Sequence, residues 1–321
     1  MKKKLLLIFL LLVLFISSSR VVTFDKSTIE TPTLNKTAAV TNAPTLTRTH
    51  TAVPKISPVH PTLPPSPIPT ATWVYQGSDK VVVPILLYHH IGNSPTRSLY
   101  YVLPDKFEKQ LKLLRDWEYT SITTELLVKA IKEGALLPPR PILITFDDGN
   151  LDNYTAAFPL MQKYGFTGIL YVGGYSLGAP GFLSVDQIQE MAGAGWEIGS
   201  HGMRHPDLSV SRTQELDYEI AESKYFLEKT LGLPIRSFAY PFGYGDEGAY
   251  HRVYTAGYIA GMVVGSTSMQ NSNHLFTLNR FDIKGTYDYQ QFASLLPWSG
   301  DLELIPRDEL QSPDSTATSL P

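Results

Sequence analysis

The chain has 321 residues, a formal net charge of −3 at neutral pH and no cysteine. That length holds one α/β barrel with extensions. The slightly acidic balance argues against a nucleic-acid partner, and the missing thiols exclude disulfides, thiolate metal sites, a cysteine nucleophile and a lipid-bearing cysteine anchor.

The N-terminus opens with Met1-Lys2-Lys3-Lys4, an apolar run over residues 5–16, and Ser17, Ser18 and Ser19. A basic start, a short apolar core and small residues behind it read as an export signal. The run is short for a membrane-spanning helix, which needs about 20 apolar residues. Residues 1–26 are therefore expected to be a signal peptide or, if uncleaved, a membrane anchor through residues 5–16, with the protein extracellular or on the cell surface. Residues 27–79 are rich in Thr and Pro, as in Pro61-Thr62-Leu63-Pro64-Pro65. Such a segment has too little apolar surface to offset its ordering entropy and reads as an extended linker or stalk.

A folded domain is expected over residues 80–305, followed by a flexible tail over 306–321. Strands are expected at 81–88, 141–146, 167–172, 196–199 and 235–240. Helices are expected at 105–117, where Phe107, Leu111 and Leu114 keep helical spacing behind Pro104, at 123–132, and at 154–164, closing at Gly165. Further helices are expected at 185–194 behind the N-cap Ser184, at 213–231, stopped by Gly232 and Pro234, and at 248–256. This alternation predicts a parallel, barrel-like α/β domain. In such a fold functional groups gather at the C-terminal ends of the strands. Asp147 and Asp148, His201 and His205, and Tyr240-Pro241-Phe242-Gly243 all fall there.

Two segments carry the chemistry: Thr145-Phe146-Asp147-Asp148-Gly149 and Ser200-His201-Gly202-Met203-Arg204-His205. Adjacent carboxylates at a strand end point in different directions, and a cation is needed to keep both ionised close together. The i, i+4 histidines would share one face of a helical turn. One carboxylate and two imidazoles make an open divalent-metal site, with positions left for water and substrate. The remaining carboxylate can act as a base on water, which points to hydrolysis. Taken singly, Asp-Asp-Gly is also a common strand-closing turn, and two histidines are also common as exposed or capping residues. The convergence of three segments on one rim favours function.

These two motifs, with Pro84-Ile85-Leu86-Leu87-Tyr88-His89-His90 and Gly195-Trp196-Glu197-Ile198-Gly199, resemble the polysaccharide deacetylase family (carbohydrate esterases of the nodulation-type deacetylase domain) over about residues 82–283. The subgroup that includes poly-N-acetylglucosamine deacetylases is the most similar. The resemblance implies a distorted (β/α) barrel, Asp147 as catalytic base, and Asp148, His201 and His205 as ligands of a divalent metal, Zn²⁺ first with Co²⁺ or Ni²⁺ as alternatives. It implies removal of N-acetyl groups from a polysaccharide such as an N-acetylglucosamine polymer, peptidoglycan or a chitin-like chain.

The chain departs from the family pattern in two places. Ala239, in Phe238-Ala239-Tyr240-Pro241-Phe242-Gly243, stands where an arginine normally partners the base; Arg280, from a later strand, is the expected substitute. The backbone N–H of Phe242 remains the expected oxyanion donor. The usual late Leu-x-x-His acid motif has no good match at His274, so His90, beside His89 at the end of the first strand, is named as the acid. Trp196, Tyr240 and Phe242 are expected to pack in the core rather than stack on sugar. An O-acetyl (xylan-type) esterase and a catalytically weakened glycan-binding barrel are the alternative readings.

Overall fold

In the computed structural model the described residues are 73–299, all within one compact unit. The segment Pro141–Phe146 contains no charge, and all six residues are buried. Continuous apolar runs of this kind belong to parallel strands covered on both faces. It is the second of seven such strands: β1 (Ile85–Tyr88), β2 (Pro141–Phe146), β3 (Ile169–Val172), β4 (Glu197–Ser200), β5 (Ser237–Ala239), β6 (Ala260–Val264) and β7 (Leu278–Asp282). Each pairs in parallel with the next, and β7 pairs with β1 to close the ring. The expected (β/α) barrel is the observed fold.

The helices are α1 (Pro104–Asp116), α2 (Thr124–Glu133), α3 (Phe158–Tyr164), α4 (Val185–Gly193), α5 (residues 213–231), α6 (Glu247–Thr255) and α7 (Tyr289–Ser294). The period-2 alternation of the strands divides the core in two. Ile142, Ile144 and Phe146 of β2 face outward and pack with Phe107, Leu111 and Leu114 of α1. Leu143 faces inward with Ile85, Tyr171, Met262 and Leu278. Leu127, Ala130 and Ile131 of α2 join that inner cluster, so α2 seals the end where the strands begin and leaves the opposite rim open.

Several elements differ from expectation for local reasons. The strand expected at 81–88 is split around Pro84: Lys80–Val82 leaves the barrel to pair antiparallel with Met269–Asn271. A proline has no N–H to give to a ladder. Val74–Gln76, inside the segment read as stalk, forms a strand against Ala135–Leu137. Helix α5 is continuous but contains a π-helical stretch, Asp217–Glu222, and another, Asn153–Ala157, precedes α3. Strands β6 and β7 were not expected, being five residues each with a glycine or charged residues in the run. The signal or anchor, most of the stalk and the tail lie outside the described residues. Among those described, no helix is long and apolar enough to cross a membrane.

Candidate active site

Asp147 continues β2, its N–H donating to the Tyr88 carbonyl at 2.9 Å, and its side chain turns into the barrel. There the two Arg280 guanidinium nitrogens, Nη1 and Nη2, donate to its two carboxylate oxygens at 2.7 and 2.8 Å. Arg280 comes from β7 and is fully buried, and the Asp147 side chain is 3 % exposed. Thr145 Oγ1 accepts a further bond from Arg280 Nη1 at 3.3 Å and donates to the Leu86 carbonyl at 2.8 Å. The guanidinium also lies over the Tyr171 ring, 5.5 Å from its centroid. Burial opposes ionisation of Asp147, but the Arg280 charge, reinforced by the His201 ring and the paired hydrogen bonds, outweighs it and holds the carboxyl below the usual range. Asp147, with alanine at 239, thus has a bidentate arginine partner from another strand.

Asp148 adopts a left-handed backbone, φ +74°. This turns its carboxylate away from Asp147 and toward the loop after β4, so the two adjacent acids do diverge. Its Oδ1 lies 3.6 Å from His201 Nε2 and 3.8 Å from His205 Nε2. His201 Nδ1 sits 2.7 Å from the Ala239 carbonyl. A carbonyl only accepts, so Nδ1 carries the proton and Nε2 presents its lone pair. The expected helical turn between the two histidines is absent: residues 201–205 form a loop, with Gly202 at φ +83° and His205 at φ +65°. The loop still brings the rings together, centroids 4.8 Å apart at 74°.

The Asp148, His201 and His205 donor atoms all lie within 4.8 Å of one another. Neighbouring ligands of a tetrahedral ion bonded at roughly 2.0–2.1 Å stand about 3.4 Å apart, close to the separations to Asp148. The set of one hard oxygen and two imidazole nitrogens also suits Zn²⁺ or a similar divalent ion, so these residues fit the implied cation. Burial, followed by the neighbouring His201, keeps His205 below its ordinary pKa, which favours the neutral ring that a metal requires.

The site opens into a cavity of about 720 Å³ lined by His89, Tyr100, Tyr175, Met203 and Phe242, among others. Phe242 is 58 % exposed, unlike Trp196 and Tyr240, which are buried as expected. Its backbone is left-handed at φ +60°, and its ring packs on His205 at 4.7 Å. The two histidines after β1 behave differently. His90 is held by Asp152 Oδ2 at 2.8 Å and stacks on Tyr101 at 3.9 Å. His89 is more closely tied to the centre: burial lowers its pKa against the pull of Asp147, Asp148 and Asp282, and its buried Nδ1 has no hydrogen-bond partner among the described residues. His274 is exposed and bonds Thr277, away from the cavity.

A polysaccharide deacetylase family model matches residues 136–260, which carry both acids and both histidines. The structure of BA0330 from Bacillus anthracis, assigned to the same family, is 30 % identical, with 68 % of this chain and 69 % of that one covered at a TM-score of 0.61. The chain belongs to the polysaccharide deacetylase family. The Streptococcus pyogenes deacetylase PplD, solved with acetate, is 27 % identical with a TM-score of 0.63; the match covers 67 % of this chain and 98 % of PplD. The poly-beta-1,6-N-acetyl-D-glucosamine N-deacetylase of Staphylococcus epidermidis is 28 % identical over 158 residues, 45 % of this chain and 54 % of that enzyme. The chain thus spans about half of that relative's length.

Proposed function

We propose that this protein is a metal-dependent hydrolase that removes N-acetyl groups from an exported or cell-wall polysaccharide built on N-acetylglucosamine. The observation that carries this reading is the pairing, within one cavity, of a buried Asp147–Arg280 ion pair with the Asp148–His201–His205 donor set. A bound divalent cation would supply Lewis acidity, polarising the acetyl carbonyl and making a water easier to deprotonate. Asp148, His201 and His205 would hold that cation. Asp147, kept ionised by Arg280, takes the proton from the attacking water. The Phe242 N–H, at the mouth of the cavity, donates to the oxyanion as the carbonyl carbon becomes tetrahedral. Protonation of the departing amine falls to His89 in its imidazolium form, which the nearby Asp147 and Asp148 carboxylates favour against burial. Acetate and a free amino sugar are the products.

The similarity to an enzyme named for poly-beta-1,6-N-acetylglucosamine, together with the export signal read at residues 1–26, supports an N-acetylglucosamine polymer outside the cell as substrate. The weakened-barrel alternative rested on Ala239 and on the missing acid motif; the Arg280 pair answers the first ground. Acetate release from β-1,6- and β-1,4-linked N-acetylglucosamine oligomers, peptidoglycan and acetylxylan, each with and without chelator, tests the reading. The expected result is chelator-sensitive release from an N-acetylated substrate, restored by Zn²⁺. Release from acetylxylan alone, or release indifferent to chelator, would refute it.

A further inference from the structure

We propose that Glu219, from the π-helical stretch of α5, is the positioning residue that sets the geometry of the two histidine ligands; this rests on the metal-dependent reading above. Only residues 202–204 separate His201 from His205. Glu219 is fully buried. Its Oε2 accepts the backbone N–H groups of Met203 and Arg204 at 2.7 and 2.8 Å. Its Oε1 accepts Arg204 Nε at 2.7 Å. The remaining N–H in the loop, that of Gly202, donates to Ser200 Oγ at 3.1 Å, and Ser200 Oγ in turn meets Ser223 Oγ of α5 at 2.8 Å. Every backbone donor between the two ligands is therefore fixed, directly or through Ser200, by one helix.

The cost and placement of this carboxylate argue for more than packing. A charge buried without full pairing is expensive, and Glu219 is fully paired only when the loop takes this conformation. Gly202 completes the fit: a Cβ there would lie 3.0 Å from Glu219 Oε2, at a φ of +83°. His205 is left-handed at φ +65°, a conformation that persists in a non-glycine residue only where its surroundings impose it. A π-helical turn, frequent at functional positions, carries Glu219. Groups that orient metal ligands at one remove commonly change metal affinity by about 10–100-fold when mutated.

The test measures the Zn²⁺ dissociation constant by competition with a chromogenic chelator, and the visible spectrum of the Co²⁺ form, on folded protein. The proteins compared are the wild type, Glu219→Gln, and Glu197→Gln as a control. Glu197 is a largely buried carboxylate that accepts from the Thr124 N–H at 2.8 Å, outside the cavity. Glu219→Gln is expected to raise the dissociation constant about 10–100-fold and to alter the Co²⁺ bands, while Glu197→Gln leaves both unchanged. If Glu219→Gln does not fold, Glu219→Asp, which keeps the charge one methylene short, takes its place and must also bind Zn²⁺ more weakly. A folded variant at 219 with wild-type affinity and spectrum overturns the proposal. A wild type that binds no metal overturns instead the metal-dependent reading, so the two failures are distinguishable.

Discussion

The Asp147–Arg280 pair gives the sharpest prediction. Its two hydrogen bonds are 2.7 and 2.8 Å long and its members are 3 % and 0 % exposed, so neither charge has water as a substitute partner. Two unit charges about 4 Å apart interact by about 4 kcal/mol at an effective dielectric constant of 20. Removing one member of a buried pair leaves the other uncompensated and costs about 3–5 kcal/mol. Arg280→Met should therefore destabilise metal-free protein by that amount in urea unfolding at neutral pH, followed by tryptophan fluorescence. Adding Asp147→Asn removes the stranded charge. The double variant should then be more stable than the sum of the singles by about 2–3 kcal/mol, the upper end for contacting residues. The pH dependence carries the same sign. In the wild type the folded-state carboxyl of Asp147 lies below its unfolded value, so its contribution is fully present above the unfolded pKa and is lost as pH falls through the folded one. In Arg280→Met burial loses its main opponent and the carboxyl rises, so the variant regains stability relative to wild type as the pH falls, and the acidic limb of its activity profile moves to higher pH. A cycle additive within about 0.5 kcal/mol, or an unmoved acidic limb, would refute the assignment of Arg280 as the partner that keeps Asp147 ionised.

Alanine at Asp148, His201 or His205 should abolish metal retention, read by elemental analysis after gel filtration, together with acetate release. Asp147→Asn should retain the metal and lose about 10²–10⁴-fold in turnover, the range for a missing general base; full turnover would contradict that role. His89→Gln should lower turnover with metal content intact, and by more than His90→Gln, whose ring is held by Asp152; the reverse order in parallel kinetics would return the acid role to His90. Gly202→Ala should cost about 1–3 kcal/mol in thermal unfolding, because a side chain at φ +83° is strained and meets Glu219; an unchanged melting midpoint would show that the loop relaxes freely.

Much of the barrel was legible because its signals are local. The uncharged run at 141–146 and the helical spacing of Phe107, Leu111 and Leu114 name their elements without tertiary information. β6 and β7 escaped because Gly261 interrupts one and Asn279, Arg280 and Asp282 break the apolar run of the other. The charge at 280 is there for Asp147, just past the end of β2, which only the closed ring reveals. The histidine spacing correctly joined the two rings but suggested the wrong backbone, since i, i+4 is also satisfied by a loop with left-handed residues at 202 and 205. Glu219 carries a signal readable in the sequence. It sits among Leu216, Ile220, Ser223, Leu227 and Leu231, the buried stripe of α5, and a charged residue on a core stripe asks for a partner.

The pairing of Arg280 with Asp147, with alanine at 239, follows from ring closure. In the closed barrel β2 is reached from β5 through β4 and β3, and from β7 through β1. Asp282 lies beside Leu87, and Leu87 beside Thr145. Arg280, two residues before Asp282 and on the same face, therefore starts deeper in the barrel and extends toward the rim, where Asp147 follows Phe146. A guanidinium on a long apolar stem suits that path: it passes Thr145 Oγ1 and Tyr171 and meets both carboxylate oxygens at once. A lysine could reach the carboxylate but would supply one point charge where the fork supplies two parallel bonds. At 239 the main chain retains a task of its own, since its carbonyl fixes the His201 tautomer, and a carbonyl does this whatever the side chain. Alanine at 239 therefore leaves the His201 orientation intact, and Arg280 supplies the positive charge beside Asp147.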